Sequence, residues 1–229
     1  MMDGPGGLQL HPRAILLDLD GTLADSLPVL RLAYRRFLEQ FGAAASNGEF
    51  ESINGPPLAE IVRTLKAAHG LEEDEKVLLD SYLDGIERIY ANVAPSPGAG
   101  CLLQKARANG CTIGIVTSNS AKRAWAWLEA VNYRQFVDFI VSGDQVTRGK
   151  PDPEPYRLAS ERASHPPSTI VAVEDSIQGA RSAVGAGLKT YAVAEGAGPG
   201  DSWPAGVELV PSLGCLATRL WQHPRTTEL

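Results

Sequence analysis

The sequence predicts an α/β fold: a Rossmann-like parallel sheet core carrying an inserted α-helical cap. Short, nearly continuous apolar runs alternate with helical patterns, as strands buried on both faces alternate with their crossover helices. One long stretch breaks that alternation with helical periodicity alone. Several of the apolar runs end in acidic or hydroxyl residues, which a parallel sheet gathers at one edge.

The first run is "AILLDLD" (14–20), closed by Gly21 and Thr22. It reads as a strand buried on both faces. "TIGIVTS" (112–118), "FIVSG" (139–143), "TIVAVED" (169–175) and "LKTYAVA" (188–194) make four more. Helical patterns lie between them in "GCLLQKARANG", "SAKRAWAWLEAVN", "PEPYRLASERAS" and "SIQGARSAVGAG". Such an order implies right-handed βαβ units with helices on both faces of the sheet. Residues 26 to about 93 hold only helical patterns, "SLPVLRLAYRRFLEQFG", "PLAEIVRTLKAAHG" and "EEDEKVLLDSYLDGIERIYANV". The expected organisation is therefore a core of residues 1–24 and 99–229 and a cap of residues 25–98. Ala24 to Pro28 and Ala94 to Gly100 serve as its two hinges.

A chain of 229 residues accommodates one full core with a smaller inserted unit. Its net charge of −6 disfavours a nucleic-acid backbone as partner. The three cysteines form no C-x-x-C pair, so neither a disulfide framework nor a zinc site is expected, which fits a reducing cytoplasm. The N-terminal "MMDGPGGLQLHPR" lacks a signal-peptide pattern, and nowhere do about 18 apolar residues run together. The expectation is a cytoplasmic protein, monomer or homodimer, with no membrane partner.

Asp18, Asp20, Glu174 and Asp175 fall at strand ends, where four carboxylates would repel one another unless a hard cation joins them. Mg²⁺ suits them, since it takes oxygen ligands and binds phosphate through few carboxylates. Beside such a cation Asp18 is a candidate covalent nucleophile toward phosphorus. Asp20 is the candidate acid, then base, for leaving group and water. Lys150 in "RGKPDPEPY" is placed to neutralise nucleophile and phosphoryl oxygens. Thr117 and Ser118, just before a helix, offer hydroxyls and backbone N–H groups to a phosphate, with Asn119 beside them.

Each motif has a plainer reading on its own. Asp18-Leu19-Asp20-Gly21 makes a turn, Thr117 or Ser118 an N-cap, Lys150 a solvated loop lysine, and Glu174-Asp175-Ser176 a helix cap. Gly143 to Lys150 looks like a P-loop but has the wrong spacing, with Pro151 where Ser or Thr is required. "EGAGPG" (195–200) reads as a flexible connector. The four histidines show no ligand pairing and are expected at the surface; of Trp125 and Trp127, at least one should pack in the core or at an interface.

Taken together, the motifs resemble the haloacid dehalogenase superfamily. That family carries D-x-D-G-T, then Thr or Ser, then Lys, then an acidic pair. Here these are "DLDGT", "IVTS", "GKPDP" and "VEDS", in that order, and the helical insertion falls between the first two. The resemblance implies Asp18 as phosphoryl acceptor and Asp20 as acid and base whose backbone carbonyl also touches Mg²⁺. Thr117 and Lys150 become phosphate contacts, and Asp175 a direct metal ligand. Glu174 binds the metal through water or orients its ligands.

The implied activity is a Mg²⁺-dependent phosphatase acting on a small phosphorylated metabolite through an aspartyl-phosphate. "DSLPVLRLAYRRFLEQFG" and "PSPGAGCLLQKARANGCTIGIVTSN" look most like the phosphoglycolate phosphatase group, so 2-phosphoglycolate is the first substrate expected. The alternatives are a phosphosugar mutase, an inorganic pyrophosphatase, or a non-catalytic binding protein on the same fold. The family's mutases use a cap histidine and arginine at positions where this chain has Leu30 and Leu58, which disfavours them. Each of the cap cations Arg31, Arg35, Arg36, Arg63 and Lys66 reads first as solvated helix surface, although at least one could face the site and bind a carboxylate or second phosphate.

Overall fold

The structure is a computed structural model that describes residues 11–46, 48–53, 56–90, 92–194 and 203–221. Its strands are β1 (Ala14–Leu17), β2 (Thr112–Val116), β3 (Phe139–Val141), β4 (Ile170–Glu174), β5 (Lys189–Val193) and β6 (Glu208–Val210). They form one sheet of order β3-β2-β1-β4-β5-β6, parallel throughout. β1 lies at its centre, with Leu17 paired to Ile115 of β2 and to Val173 of β4. That order puts the crossover reversal, and hence the ligand crevice of an open parallel sheet, beside β1.

The continuous apolar runs are explained by burial on both faces. Ala14 and Leu16 join one cluster with Tyr156 and Ala159 of α7 (Glu154–Ala163) and Ala183 of α8 (Ile177–Gly185). Ile15 and Leu17 point into the other, with Leu102 of α5 (Ala99–Ala108), Leu128 of α6 (Ala121–Ala130) and Leu216 of α9 (Leu213–Leu220). Each such side chain contributes about 1.5–3 kcal/mol by leaving water.

Helices α1 (Leu27–Gln40), α3 (Leu58–His69) and α4 (Glu75–Tyr90) stand between β1 and β2 where the broken alternation predicts helices, with a short α2 (Glu49–Ile53) between α1 and α3. Phe37 of α1 stacks on Tyr82 of α4 at 4.7 Å between centroids. Tyr34 donates to Glu49, and Glu49 meets His69 Nε2 at 2.9 Å, tying α2 to α1 and α3. His69 is thus an internal partner and not the surface histidine expected.

The segment leaves and returns through paired linkers. Ala24 bridges Pro95, Asp25 N donates to Ala94 O at 2.9 Å, and Ser96 N to Leu23 O at 2.8 Å. Trp127 of α6 donates its indole N–H to Val93 O at 2.9 Å, so it is the tryptophan that packs in the core. Trp125 lies partly buried under the Arg134 guanidinium.

Several boundaries differ from the sequence reading. The first strand ends at Leu17 and not at Asp20, because the chain turns back through hydrogen bonds from Gly21 N to Ala24 O and Ala24 N to Leu19 O. α2, β6 and α9 carry no signal strong enough to predict: α2 has five residues, and β6 is a three-residue edge strand with Leu209 exposed. The N-terminal "MMDGPGGLQL", the "EGAGPG" connector and His223 lie outside the described residues. No helix among the described residues is long and apolar enough to cross a membrane.

Trp127→Ala should destabilise the protein by about 3–5 kcal/mol in urea unfolding, through the cavity it leaves. Trp127→Phe keeps most of the apolar volume but leaves the Val93 carbonyl unpaired, and should cost about 1–3 kcal/mol.

Candidate active site

The register of the three central strands brings the predicted residues together. Asp18, Thr117 and Asp175 each follow directly on the last residue of β1, β2 and β4. Asp18 N continues the ladder by donating to Val173 O at 3.0 Å, which sets its side chain between β2 and β4. Lys150 arrives from the loop between β3 and α7. Glu154 holds that loop by accepting from Thr147 N at 2.7 Å and Arg148 N at 3.0 Å. The Lys150 ammonium donates to Asp18 Oδ1 at 2.5 Å and Val116 O at 3.0 Å, and lies 2.6 Å from Glu174 Oε1. Tyr156 donates to the same Glu174 oxygen at 2.7 Å from beneath the sheet. Lys150 is therefore a buried ion-pair partner and not a solvated loop residue.

Two glycines shape this pole. Gly21 has φ of +87°, and a Cβ on it would collide with Asp175 Oδ2. Gly179, in the first turn of α8, leaves room for the Glu174 carboxylate, which a Cβ would strike.

Asp18, Glu174 and Asp175 bring one carboxylate oxygen each to within 4.8 Å of one another. Lys150 supplies one positive charge against the three carboxylates. Burial pushes the Asp18 carboxyl up to about 8 despite Lys150, with Glu174 and Asp20 adding to the rise. Asp175 is also raised, by loss of hydration and then by Asp18 and Glu174. Burial alone would lower Lys150, but Asp18 and Glu174 outweigh it and its pKa rises, so it stays charged. Asp18 Oδ2 is buried without a hydrogen-bond partner. An all-oxygen donor set with surplus negative charge and an unpartnered buried oxygen fits a hard divalent cation.

Asp20 stands apart from that trio. Its Oδ1 accepts from Tyr90 OH at 2.6 Å and its Oδ2 from Asn119 Nδ2 at 3.0 Å. A metal role for its carboxylate, as expected from four acids in one volume, is not what this geometry offers; its backbone oxygen is the remaining route. Asn119 accepts from Arg123 Nη1 through its other amide atom, so its side chain bridges Asp20 and Arg123 at the edge of the cleft. Thr117 Oγ1 accepts from Asn119 N at 3.0 Å, and both Thr117 and Ser118 line the cleft. Neither caps the next helix: Ser120 caps α6 by accepting from Arg123 N, and Ser176 caps α8 by accepting from Gly179 N.

The cleft above the strand ends is lined on the sheet side by Asp18, Asp20, Thr117, Lys150 and Asp175. Arg123 is the cation that joins Lys150 there, and none of Arg31, Arg35, Arg36, Arg63 or Lys66 does. On α1 the buried face is Ala33, Tyr34, Phe37 and Leu38, which turns Arg35 and Arg36 outward. Lys66 donates to Leu71 O at 2.9 Å. The sequence reading missed Tyr90, Arg123 and Tyr156. Arg123, four residues after Asn119, carried an i,i+4 signal; Tyr90 carried none.

A family model described as haloacid dehalogenase-like hydrolase matches residues 15–193. A phosphoglycolate phosphatase of Nitrosospira multiformis is 31% identical, covering 88% of this chain and 92% of that one. A 6-phosphogluconate phosphatase of Escherichia coli is 30% identical, over 78% of this chain and 80% of its own length. The solved structure of CbbY from Rhodobacter sphaeroides in complex with phosphate superposes with a TM-score of 0.79 at 25% identity, covering 90% of this chain and 96% of that one.

Gly21→Ala should displace Asp175 and weaken divalent-cation binding by about 10- to 100-fold in calorimetric titration, as disturbed supporting contacts around metal ligands do. In metal-free protein, Asp18 retains a proton that the unfolded chain, near 3.8, has given up. The folded state therefore loses stability as pH rises from about 4 to about 8. Asp18→Asn removes this titration, so its melting temperature in EDTA should fall less steeply across that window than that of the unaltered protein.

Proposed function

The chain belongs to the haloacid dehalogenase-like hydrolase family, and from that premise we propose that it is a Mg²⁺-dependent phosphatase of small phosphomonoester metabolites. The observation that carries the reading is the buried pole at which Asp18 meets Lys150, Glu174 and Asp175. Asp18 and Asp175, with Glu174 beside them and the Asp20 backbone oxygen, would hold the metal. When bound, it would supply positive charge that draws the phosphoryl group and the Asp18 carboxylate together.

Asp18 attacks phosphorus and the bond to the ester oxygen breaks, leaving an aspartyl-phosphate. Lys150 neutralises charge on Asp18 and on the phosphoryl oxygens, and Thr117 and Ser118 hold those oxygens from the opposite side. Asp20 gives its proton to the departing oxygen. It then takes one from the water that attacks phosphorus, and the bond to Asp18 breaks to release inorganic phosphate. Tyr90 and Asn119 fix both Asp20 oxygens, which supports one defined orientation for these transfers. Residues 25–98 act as a cap that covers the strand ends and shields the intermediate from bulk water.

Leu30 and Leu58 both line the cleft. Neither can donate or accept a proton, which supports a phosphatase over a mutase. 2-Phosphoglycolate, the substrate in the name of the Nitrosospira relative, is the benchmark for ranking others. With p-nitrophenyl phosphate and Mg²⁺ the protein should turn over, and EDTA or Asp18→Asn should abolish turnover. Asp20→Asn should slow it by about 10²- to 10⁴-fold. Equal rates under all these conditions would rule the mechanism out.

A further inference from the structure

The two sides of the cleft differ in chemistry. The sheet side presents the acids, hydroxyls, Lys150 and Arg123 described above. The inserted side is mainly hydrocarbon: Leu30 from α1, Phe50 and Ile53 from α2, Leu58 and Ile61 from α3, and Ile86 from α4, with Tyr82 of α4 the one hydroxyl-bearing side chain on it among the described residues. All four inserted helices contribute, and among the described residues none of them places a charged side chain on this wall. Arg31 of α1 lies over the ring of Phe50, 4.9 Å from the centroid, and is exposed.

Arg123, opposite, is engaged through its Nη atoms, while its buried Nε has no hydrogen-bond partner. It donates to Asn119, approaches Glu87 Oε1 at 3.5 Å and lies over the Tyr90 ring. A phosphoryl group seated at Asp18 would therefore direct its organic part against an apolar surface. A carboxylate or a set of hydroxyls against the inserted wall loses water and meets no charged side chain there among the described residues, whereas an alkyl or aryl group gains by leaving water.

We propose that this wall selects phosphomonoesters with an apolar organic group, a branched alkyl or an aryl, over esters that carry a carboxylate or several hydroxyls. The proposal rests on the phosphatase reading and specifies its substrate class. It sets the preference of this chain against 2-phosphoglycolate and sugar phosphates.

The test is kcat/KM with Mg²⁺ for methyl, n-propyl and isoamyl phosphate, whose ester oxygens are alike in basicity, beside 2-phosphoglycolate and glucose 6-phosphate. From methyl to isoamyl phosphate, kcat/KM should rise at least about tenfold, the scale of added methylenes filling an apolar pocket. 2-Phosphoglycolate and glucose 6-phosphate should fall at least about tenfold below isoamyl phosphate. Leu58→Arg, at a half-exposed position opening α3, should shift the isoamyl-to-phosphoglycolate ratio toward phosphoglycolate by at least about tenfold.

A flat or falling alkyl series, or 2-phosphoglycolate or glucose 6-phosphate matching isoamyl phosphate, overturns the proposal even if Leu58→Arg fails to fold. Those outcomes leave the phosphatase reading intact. Absence of hydrolysis of every ester, p-nitrophenyl phosphate included, overturns the phosphatase reading and this proposal with it.

Discussion

Three carboxylates share a pocket with a single ammonium group, and most of the surrounding structure exists to keep them there. Burying an ion costs several kcal/mol unless another charge and hydrogen bonds compensate. Lys150 compensates in part, by reaching Asp18, Glu174 and the Val116 carbonyl at once. It can do so because β1 runs between β2 and β4, so that groups from three strands end at one height. Tyr156 fixes Glu174 from below, and Gly21 and Gly179 yield the space that the carboxylates occupy. The charge left unbalanced when all three carboxylates ionise is what the cation proposed for this pole would neutralise.

Much of this was legible in the sequence because strand burial and strand ends are local properties. "AILL" and "IVAVE" are apolar through their lengths since both faces of the sheet are covered, and the polar residues that follow are therefore conspicuous. The order of Asp18, Thr117, Lys150 and Asp175 along the chain needed no knowledge of distance. What escaped depends on which helix face meets which neighbour. Tyr90 touches Asp20 across 70 positions of sequence, and nothing near Tyr90 announces it. The arginines of α1 stand on solvated surface, the plainer of their two readings, and Ala33, Tyr34, Phe37 and Leu38 already marked the inward face. β6 and α2 are too short for periodicity to speak.

Asp20 shows how the two parts of the molecule meet. It belongs to the turn after β1, yet one of its oxygens is held by Asn119 before α6 and the other by Tyr90 at the end of α4. Burial and the neighbouring Asp20 charge raise the Tyr90 hydroxyl, so it remains a donor at any ordinary pH. A carboxylate fixed from both sides gives up the freedom to swing into the acidic trio, and the division between Asp20 and the other three acids follows from that.

The paired linkers between Leu23 and Ser96 carry a different lesson. The chain departs from the sheet and rejoins it one hydrogen-bonded step away, so topologically the whole excursion is an enlarged turn in the first crossover. Closing a turn costs little more as it lengthens, about 0.6 kcal/mol for each doubling. Residues can accordingly be added to or exchanged within the excursion while Ala14 stays opposite Thr112 and Leu17 opposite Ile115. Such an architecture lets descendants of one ancestor retool their appetite for organic groups and inherit the bond-breaking apparatus unaltered.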